Sequence, residues 1–470
     1  MVYGSLRHPK GKRLWSELIA GLLLLSMIPF AVPQAKANTL TPHTPIVING
    51  DSGFTAANGV TGGRGTRSHP YIIEGWNVSA SSWWGPNGPK GPGITISNTT
   101  AYFVIRNVIS NEGGYPGLKL TYVANAAIEN SQMNGYPWTA VVDSSRNIRL
   151  TNNGYDRNFN TRIFVTNSVG ITIDHNKIFW MSIKTSQHLA ITNNDIGGVG
   201  CPLCIESSSD VLISGNTLPG CDCLTLSIGG SDHVTLTKNI IGGDEPLLVR
   251  FSSFVTISDN LFQGAVSNLA TLEYCSNFSI RGNQFRGVPG TAYGLRHAML
   301  AVYACGSMDI SDNVFASPGL YPGNFDLLDL TGSQNMTITA NYFASSMTAV
   351  NVSDSSSLLI SENVIYLNSH GVALERTINT RVFHNNFLNN TVQASDTGTT
   401  NNVWDNGYPS GGNYWSDYTG VDNCSGPRQN ICPHPDGIGD TPYVFNHNQD
   451  NYPLMQPVQT EINSENGGNS

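Results

Sequence analysis

Short stretches in which apolar and polar residues alternate recur along the chain, mostly every 21 to 24 residues, as in Ile171-Thr-Ile-Asp-His-Asn176, Val211-Leu-Ile-Ser-Gly-Asn216 and Val255-Thr-Ile-Ser-Asp-Asn260. Alternation at period two marks strands that bury one face. Taking the last polar residue of each phrase as an anchor aligns thirteen repeats, at Asn107, Ser131, Asn153, Asn176, Asn194, Asn216, Asn239, Asn260, Asn283, Asn313, Asn341, Asn363 and Asn385. Positions thirteen and eleven before the anchor are apolar in every repeat, from Ile94/Ile96 to Val372/Leu374. Those five and three before it are mainly apolar, as in Ile148/Leu150 and Phe278/Ile280. So is the second position after it, with Tyr155, Phe262, Phe285, Phe315, Phe343 and Phe387.

A unit this short, with several strands and no helical period, cannot bury its apolar face alone, so successive units must stack. The pattern predicts an all-β fold, a single-stranded right-handed parallel β-helix (solenoid) of about 13 coils rising ~4.8 Å per rung. A hydroxyl repeats eight residues before the anchor, or seven in the case of Ser253, at Ser145, Ser168, Ser186, Ser208, Ser231, Ser253, Ser333 and Ser355, with Thr99 and Thr377, which predicts a hydroxyl ladder. The anchor amides should form a second ladder while adopting a left-handed turn. The Leu/Asn consensus of a leucine-rich repeat is absent.

Only 12% of residues are charged, 49 are Gly and 24 are Lys or Arg, with a formal net charge of −9, which argues against a coiled coil and a nucleic-acid binder. Arg7, Lys10, Lys12 and Arg13 precede an apolar run from Leu18 to Val32 and the small-residue signal Ala35-Lys36-Ala37. Residues 1–37 therefore read as a secretory signal peptide, the rival being an uncleaved anchor. An N-terminal cap over 38–93 should precede the coils of 94–395. A C-terminal cap over 396–458 and a flexible tail over 459–470 should follow, because open strand ends need covering.

Eight cysteines in an exported chain favour disulfides over metal. Cys424 and Cys432 are expected to bridge within the C-terminal cap. Cys275 and Cys305 share the eighth position before consecutive anchors, either as a bridge or as buried thiols standing in for Ser. Cys201, Cys204, Cys221 and Cys223 should gather on one face of two neighbouring coils, as two disulfides or as four thiolates for zinc or Cu(I). Asp422, Asp436 and Asp440, in and before Asp436-Gly-Ile-Gly-Asp440, offer oxygen donors for Ca²⁺ or form a plain Asp/Gly turn. The His residues are scattered, and Met133, Met181, Met308 and Met336 occupy strand-core positions, so copper would have to use the cysteines.

The tenth position before the anchor should face outward. It presents Lys184, Glu206, Arg250, Glu273 and Tyr303, an alternating-charge column that suits sugar hydroxyls or is plain surface ion pairing. Phe164, Thr271 and Asp329 lie beside it in the twelfth position. The two longest coils add loops over 286–299 and 316–327, which should bring Tyr293, Arg296, His297, Tyr321, Phe325 and Asp326 over one region. Glu273, Asp326 and Asp329 are then the candidate acid and base carboxylates of a glycoside hydrolase. In a lyase, Arg296 or His297 would be the base.

The opening Pro-Ile-Val-Ile-Asn-Gly at 45–50, the Asn-anchored coils, Gly412-Asn-Tyr-Trp-Ser-Asp-Tyr418 and Asp436-Gly-Ile-Gly-Asp-Thr-Pro-Tyr443 resemble the secreted archaeal β-helix proteins of the NosD family. That family is named for a periplasmic copper-binding protein, and its repeats are also classed as a carbohydrate-binding and sugar-hydrolysis (CASH) domain. The resemblance implies the β-helix fold together with copper delivery or glycan handling. The sequence thus predicts an exported, extracytoplasmic monomer that binds carbohydrate, on a cell surface or in a periplasm-like space. It should have no nucleic-acid partner and no transmembrane segment in the mature chain. The alternatives are a polysaccharide-cleaving enzyme and a copper accessory protein.

Overall fold

The structure, a computed structural model, describes residues 40–460 apart from 80–90, 112–115, 136, 155–160, 222, 265–266, 288–296, 317–324, 399 and 447. The expected signal peptide, Tyr155, Tyr293, Arg296, Tyr321 and most of the expected tail lie outside the described residues. Among the described residues no helix is long and apolar enough to cross a membrane.

Residues one repeat apart are hydrogen-bonded neighbours in parallel sheets. In the first sheet Leu203 lies beside Leu226 and Leu226 beside Leu247. In the second, Val211 lies beside Val234 and Val234 beside Val255. Among the described residues the third has eleven strands, from Lys177–Ile178 to Tyr414–Trp415. Its apolar column stacks Phe262, Phe285, Phe315 and Phe343 with ring centroids 4.9, 4.5 and 4.9 Å apart. The chain is the expected right-handed parallel β-helix, with one continuous core of inward columns that includes Met133, Met181, Met308 and Met336.

The stack is longer than the thirteen aligned repeats. Strand Ile46–Asn49 pairs with Ile94–Thr99, and Val392–Thr397 with His370–Glu375, adding a rung at each end of the first sheet. Strand Tyr71–Glu74 likewise pairs with Phe103–Arg106. Both expected caps thus begin as further coils.

The anchor ladder shows why so many polar residues tolerate burial. Asn216 Nδ2 donates to Ile191 O at 2.8 Å and to Asn239 Oδ1 at 3.0 Å, while its own Oδ1 accepts the Asn194 amide N–H at 2.9 Å. Each amide meets its donors and acceptors inside the rod, which removes the cost of desolvating it. The ladder runs on to Asn413, which accepts from Asn385 N–H at 3.0 Å.

Three details of register differ from expectation. The first coil holds one residue more, so Val108, whose N–H donates to Ser131 Oγ at 3.2 Å, takes the place assigned to Asn107. The left-handed conformation belongs to the residue before the anchor, as at His175 (φ 54°), Asn193 (φ 54°) and Asp259 (φ 56°). Asn107 (φ 49°) is such a residue, in line with Asn130 (φ 48°). The hydroxyl column passes through buried Ser252, whose Oγ accepts from Ser231 N–H at 3.2 Å, not through Ser253.

The hydroxyls of this column link backbone to backbone. Ser145 N–H donates to Ser168 Oγ at 3.1 Å, and Ser168 Oγ–H to Thr166 O at 2.7 Å. Cys275 and Cys305 occupy the same places as unbridged, buried thiols. Cys275 N–H donates to Cys305 Sγ at 3.2 Å, and each thiol donates to the carbonyl two residues upstream. The hydrogen bond with Cys305 and burial push the Cys275 thiol pKa up. The bridge considered for this pair is absent because each sulfur fills a serine's place.

The C-terminal end is closed by buried Trp404 and Trp415. Trp404 Nε1 donates to Asp396 Oδ2 at 2.8 Å and Trp415 Nε1 to Asp450 Oδ2 at 2.9 Å. Asp450 also accepts from Asn413 N–H at 2.7 Å and Tyr452 N–H at 3.0 Å. A Cβ on Gly412 would stand 1.9 Å from Asp450 Oδ1, so only glycine lets the loop approach this carboxylate. Burial pushes the Asp450 pKa up to about 7, against the pull of its three donors.

Candidate functional site

The outward column of the first sheet is continuous. Asp143, Thr166, Lys184, Glu206, Gly229, Arg250, Glu273, Tyr303 and Thr331 are successive register partners. Lys184 Nζ meets Glu206 Oε2 at 2.8 Å and Arg250 Nε meets Glu273 Oε2 at 2.6 Å, with Gly229 as a gap between the two pairs. The column therefore carries fixed polar groups with little net charge. Such half-exposed pairs contribute only about 0–1 kcal/mol to stability.

Beyond the second pair lies a polar cluster on three rungs. Ala301 registers with Asp329 and Asp329 with Asn351. Asn351 Nδ2 donates to Asp329 Oδ1 and to Asp326 Oδ2, both at 3.2 Å. Burial and then the Asp329 charge raise the Tyr303 pKa, with Glu273 and Asp326 adding and a hydrogen bond from Asn268 opposing. Glu273, Tyr303, Asp326 and Asp329 thus come together as the spacing suggested. Asp326, however, opens strand Asp326–Thr331 and is 2% exposed, rather than overhanging on a loop. His297 also joins the region, its carbonyl accepting from Asp326 N–H at 2.9 Å. Phe325 packs against the core. Asn268, Asn351 and Glu245 were missed. Burial raises the Glu245 pKa, with the Arg250 charge opposing and Glu273 reinforcing.

At the other end of the same face stands an aromatic platform. The Trp138 ring stacks on Phe164 at 5.0 Å and on Trp180 at 4.9 Å, with interplanar angles of 26° and 16°. All three residues are partly buried, with some surface left to solvent. Arg162 lies 5.4 Å from the Phe179 ring centroid beside them. The two tryptophans stand fifteen and fourteen residues before their anchors and Phe164 twelve, so counting along one column does not align them. A Trp at or just before the start of a strand, Trp180 and Trp138, was the available signal. Seven strand steps separate the Trp138 rung from that of Tyr303, about 34 Å at ~4.8 Å per step.

Cys201–Cys204, Cys221–Cys223 and Cys424–Cys432 are disulfides. The first two adjoin on neighbouring coils, where Gly200 N–H donates to Cys223 Sγ at 3.1 Å. In the C-terminal segment Asp440 accepts from Asn423 and Cys424 N–H, both at 3.0 Å. Asp422 accepts from Asp436 N–H at 3.0 Å and Gly437 N–H at 2.8 Å, and Asp436 Oδ1 from Ile438 N–H at 3.2 Å. These carboxylates clasp backbone amides across the loop. Among the described residues no group of three or more His, Cys, Asp or Glu is placed to hold a metal ion.

The family model described as "Periplasmic copper-binding protein (NosD)" matches residues 57–223, 180–356 and 330–420. No curated protein matches the chain. Among solved structures, PfbA, a surface adhesin of Streptococcus pneumoniae, is similar at 14% identity and TM-score 0.37, over 68% of this chain and 86% of that one. A variant of the periplasmic alginate epimerase AlgG is similar at 11% identity and TM-score 0.37, over 71% and 85%. The family 28 exopolygalacturonase of Yersinia enterocolitica is similar at 10% identity and TM-score 0.31, over 66% and 72%. The copper in the family's description does not fit the described donor set: six sulfurs are in disulfides, and Cys275 and Cys305 are buried in the hydroxyl ladder.

Proposed function

Because the chain belongs to the NosD family, whose name denotes a periplasmic protein, we propose that it works outside the cytoplasm as a glycan-binding rod, holding an extended polysaccharide along the outward face of its first sheet. The observation that carries this reading is the partly exposed stack of Trp138, Phe164 and Trp180 on the same face as the Lys184–Glu206 and Arg250–Glu273 pairs and Tyr303. Aromatic faces accept the C–H face of a pyranose, and fixed polar groups accept its hydroxyls; a few such groups beside aromatic surface make a small-molecule site. The rung spacing of ~4.8 Å is comparable with the length of one sugar unit, so a rigid column offers equivalent contacts to successive units. The disulfides support an oxidising location.

The cleavage alternative would use the carboxylates of the same face. Glu273 is held by Arg250, and Asp326 and Asp329 share one amide donor, Asn351. Hydrolysis requires one carboxyl kept protonated as the acid and another ionised as base or nucleophile. A glycan array probed with the purified protein tests the reading. The expected result is binding to a polysaccharide class that weakens in Trp138→Ala. No binding to any glycan, or binding indifferent to Trp138, overturns it.

A further inference from the structure

We propose that Phe251, Tyr274 and Phe254 form a second stacking ridge, which leads an uncharged glycan from the first sheet around the corner onto the second. The inference rests on the glycan reading above and adds the ligand's charge class and its path. Phe251 and Tyr274 follow Arg250 and Glu273 directly, at the corner between the two sheets. Their rings are parallel, 5.1 Å apart with an interplanar angle of 4°, and the residues are 66% and 59% exposed. The rungs on either side carry Gly230 and Ala304 in this column, which add no ring or long side chain to the stack. Three residues on, Phe254 is 53% exposed and stacks on His233 at 5.1 Å.

The backbone makes this arrangement costly. Phe251 (φ 51°), Phe254 (φ 53°) and Tyr274 (φ 55°) are all left-handed, a conformation that costs a residue with a Cβ roughly 1–2 kcal/mol. The equivalent places in other coils are left-handed too; many hold Ser, Asn or Gly, as at Ser207, Gly230, Asn277 and Asn335, while Tyr122, Thr185, Ala304 and Arg376 also stand there. The left-handed turn recurs from coil to coil, so what marks the ridge is the placing of three exposed rings there, which returns no core burial.

The ridge opens onto a shallow groove of about 450 Å³ on the second sheet, lined by Phe254, Asn277, Ser307, Asp309, Asn335 and Thr337 among others. Its lining offers amides, hydroxyls and one carboxylate, and contains no Lys or Arg. Arg250, the cation nearest in sequence to the ridge, is paired with Glu273. Among charged groups of this lining, a polyuronate's carboxylates would meet only that of Asp309, which repels them, whereas an uncharged, hydroxyl-rich chain meets the amides and hydroxyls without that cost.

The test compares the wild type with the double variant Phe251→Asn/Tyr274→Asn, because Asn accepts the left-handed conformation and preserves the corner. Cello-, manno- and xylo-oligosaccharides and oligogalacturonate are titrated calorimetrically, with unfolding midpoints as the check on folding. An uncharged oligosaccharide should bind the wild type and lose at least tenfold affinity in the double variant, with oligogalacturonate bound more weakly. Equal affinity in the two proteins, or a preference for oligogalacturonate, overturns the ridge while leaving the Trp138 platform standing. No binding of any of these sugars by the wild type overturns the ridge, and no binding to any glycan on the array overturns both readings. So does concentration-dependent self-association that the double variant abolishes without glycan binding, which would make the ridge a contact between copies.

Discussion

Asn283 Nδ2 donates to Asn313 Oδ1 at 2.9 Å, although thirty residues separate them along the chain. The amide ladder therefore keeps its register across the longest coil. Asn313 also accepts from Asn283 N–H and donates to Ile280 O, so truncation strands several buried polar groups. Asn313→Ala should cost about 2–4 kcal/mol, since each unsatisfied buried group costs roughly 1–3 kcal/mol. Denaturant unfolding checks this, and a loss below about 0.5 kcal/mol, typical of surface changes, would contradict the ladder's role.

The Trp138 platform should respond to ligand directly. Trp138→Ala should weaken polysaccharide binding about tenfold or more, the effect of losing roughly 1.4 kcal/mol. In the wild type, ligand should alter tryptophan fluorescence, and that change should shrink in the variant. A variant with full affinity and an unchanged fluorescence response would remove this face from the site.

Because Arg250 is neutralised by Glu273, the charge of this column can be changed at one place. Glu273→Gln should remove the carboxylate that pairs with Arg250 and raise affinity for oligogalacturonate several-fold at low salt, with the gain disappearing as ionic strength rises. The same samples, and Asp329→Asn, should release no reducing or unsaturated ends from a polysaccharide panel. Release by the wild type that either substitution abolishes would make the strip catalytic.

Asp450 couples the C-terminal closure to pH. Its folded pKa, about 7, lies above the ordinary carboxylate value of 3.8, so the native state holds the proton more tightly than the unfolded chain. Its relative contribution is fully present below the unfolded value and is lost as pH rises through the folded one. From pH 4 to pH 8 the loss should reach up to about 4 kcal/mol, at 1.36 kcal/mol per pKa unit. The raised Glu245 pKa acts in the same direction. Thermal unfolding across this range should show stability falling in the wild type and a flatter profile in Asp450→Asn. Identical profiles would show that this carboxylate does not titrate there.

Thiol counting separates the two kinds of cysteine. The native protein should expose no reactive thiol and the unfolded, unreduced protein two, those of Cys275 and Cys305. Either residue replaced by Ser should change stability by less than about 1 kcal/mol, because a hydroxyl restores the ladder. More than two thiols after unfolding would contradict the three disulfides.

The sequence by itself determined the solenoid. Its period, its inward columns and the amide ladder follow from the fact that a short repeat can bury its strands only on the repeats beside it, and Ile171, Val211 and Val255 state that pattern plainly. It also located Lys184, Glu206, Arg250, Glu273, Tyr303 and Asp329 on one face, since every strand inverts its side chains at period two. Only the tertiary structure decided what depends on coil length and corner geometry. One extra residue moved Val108 into the place expected of Asn107. Unequal coils brought Trp138, Phe164 and Trp180 together from different offsets. The turn carried Phe251 and Tyr274 outward as a parallel pair. A repeat specifies neighbours along the axis through backbone pairing, whereas the path around each coil is set by local turns whose lengths differ from one rung to the next.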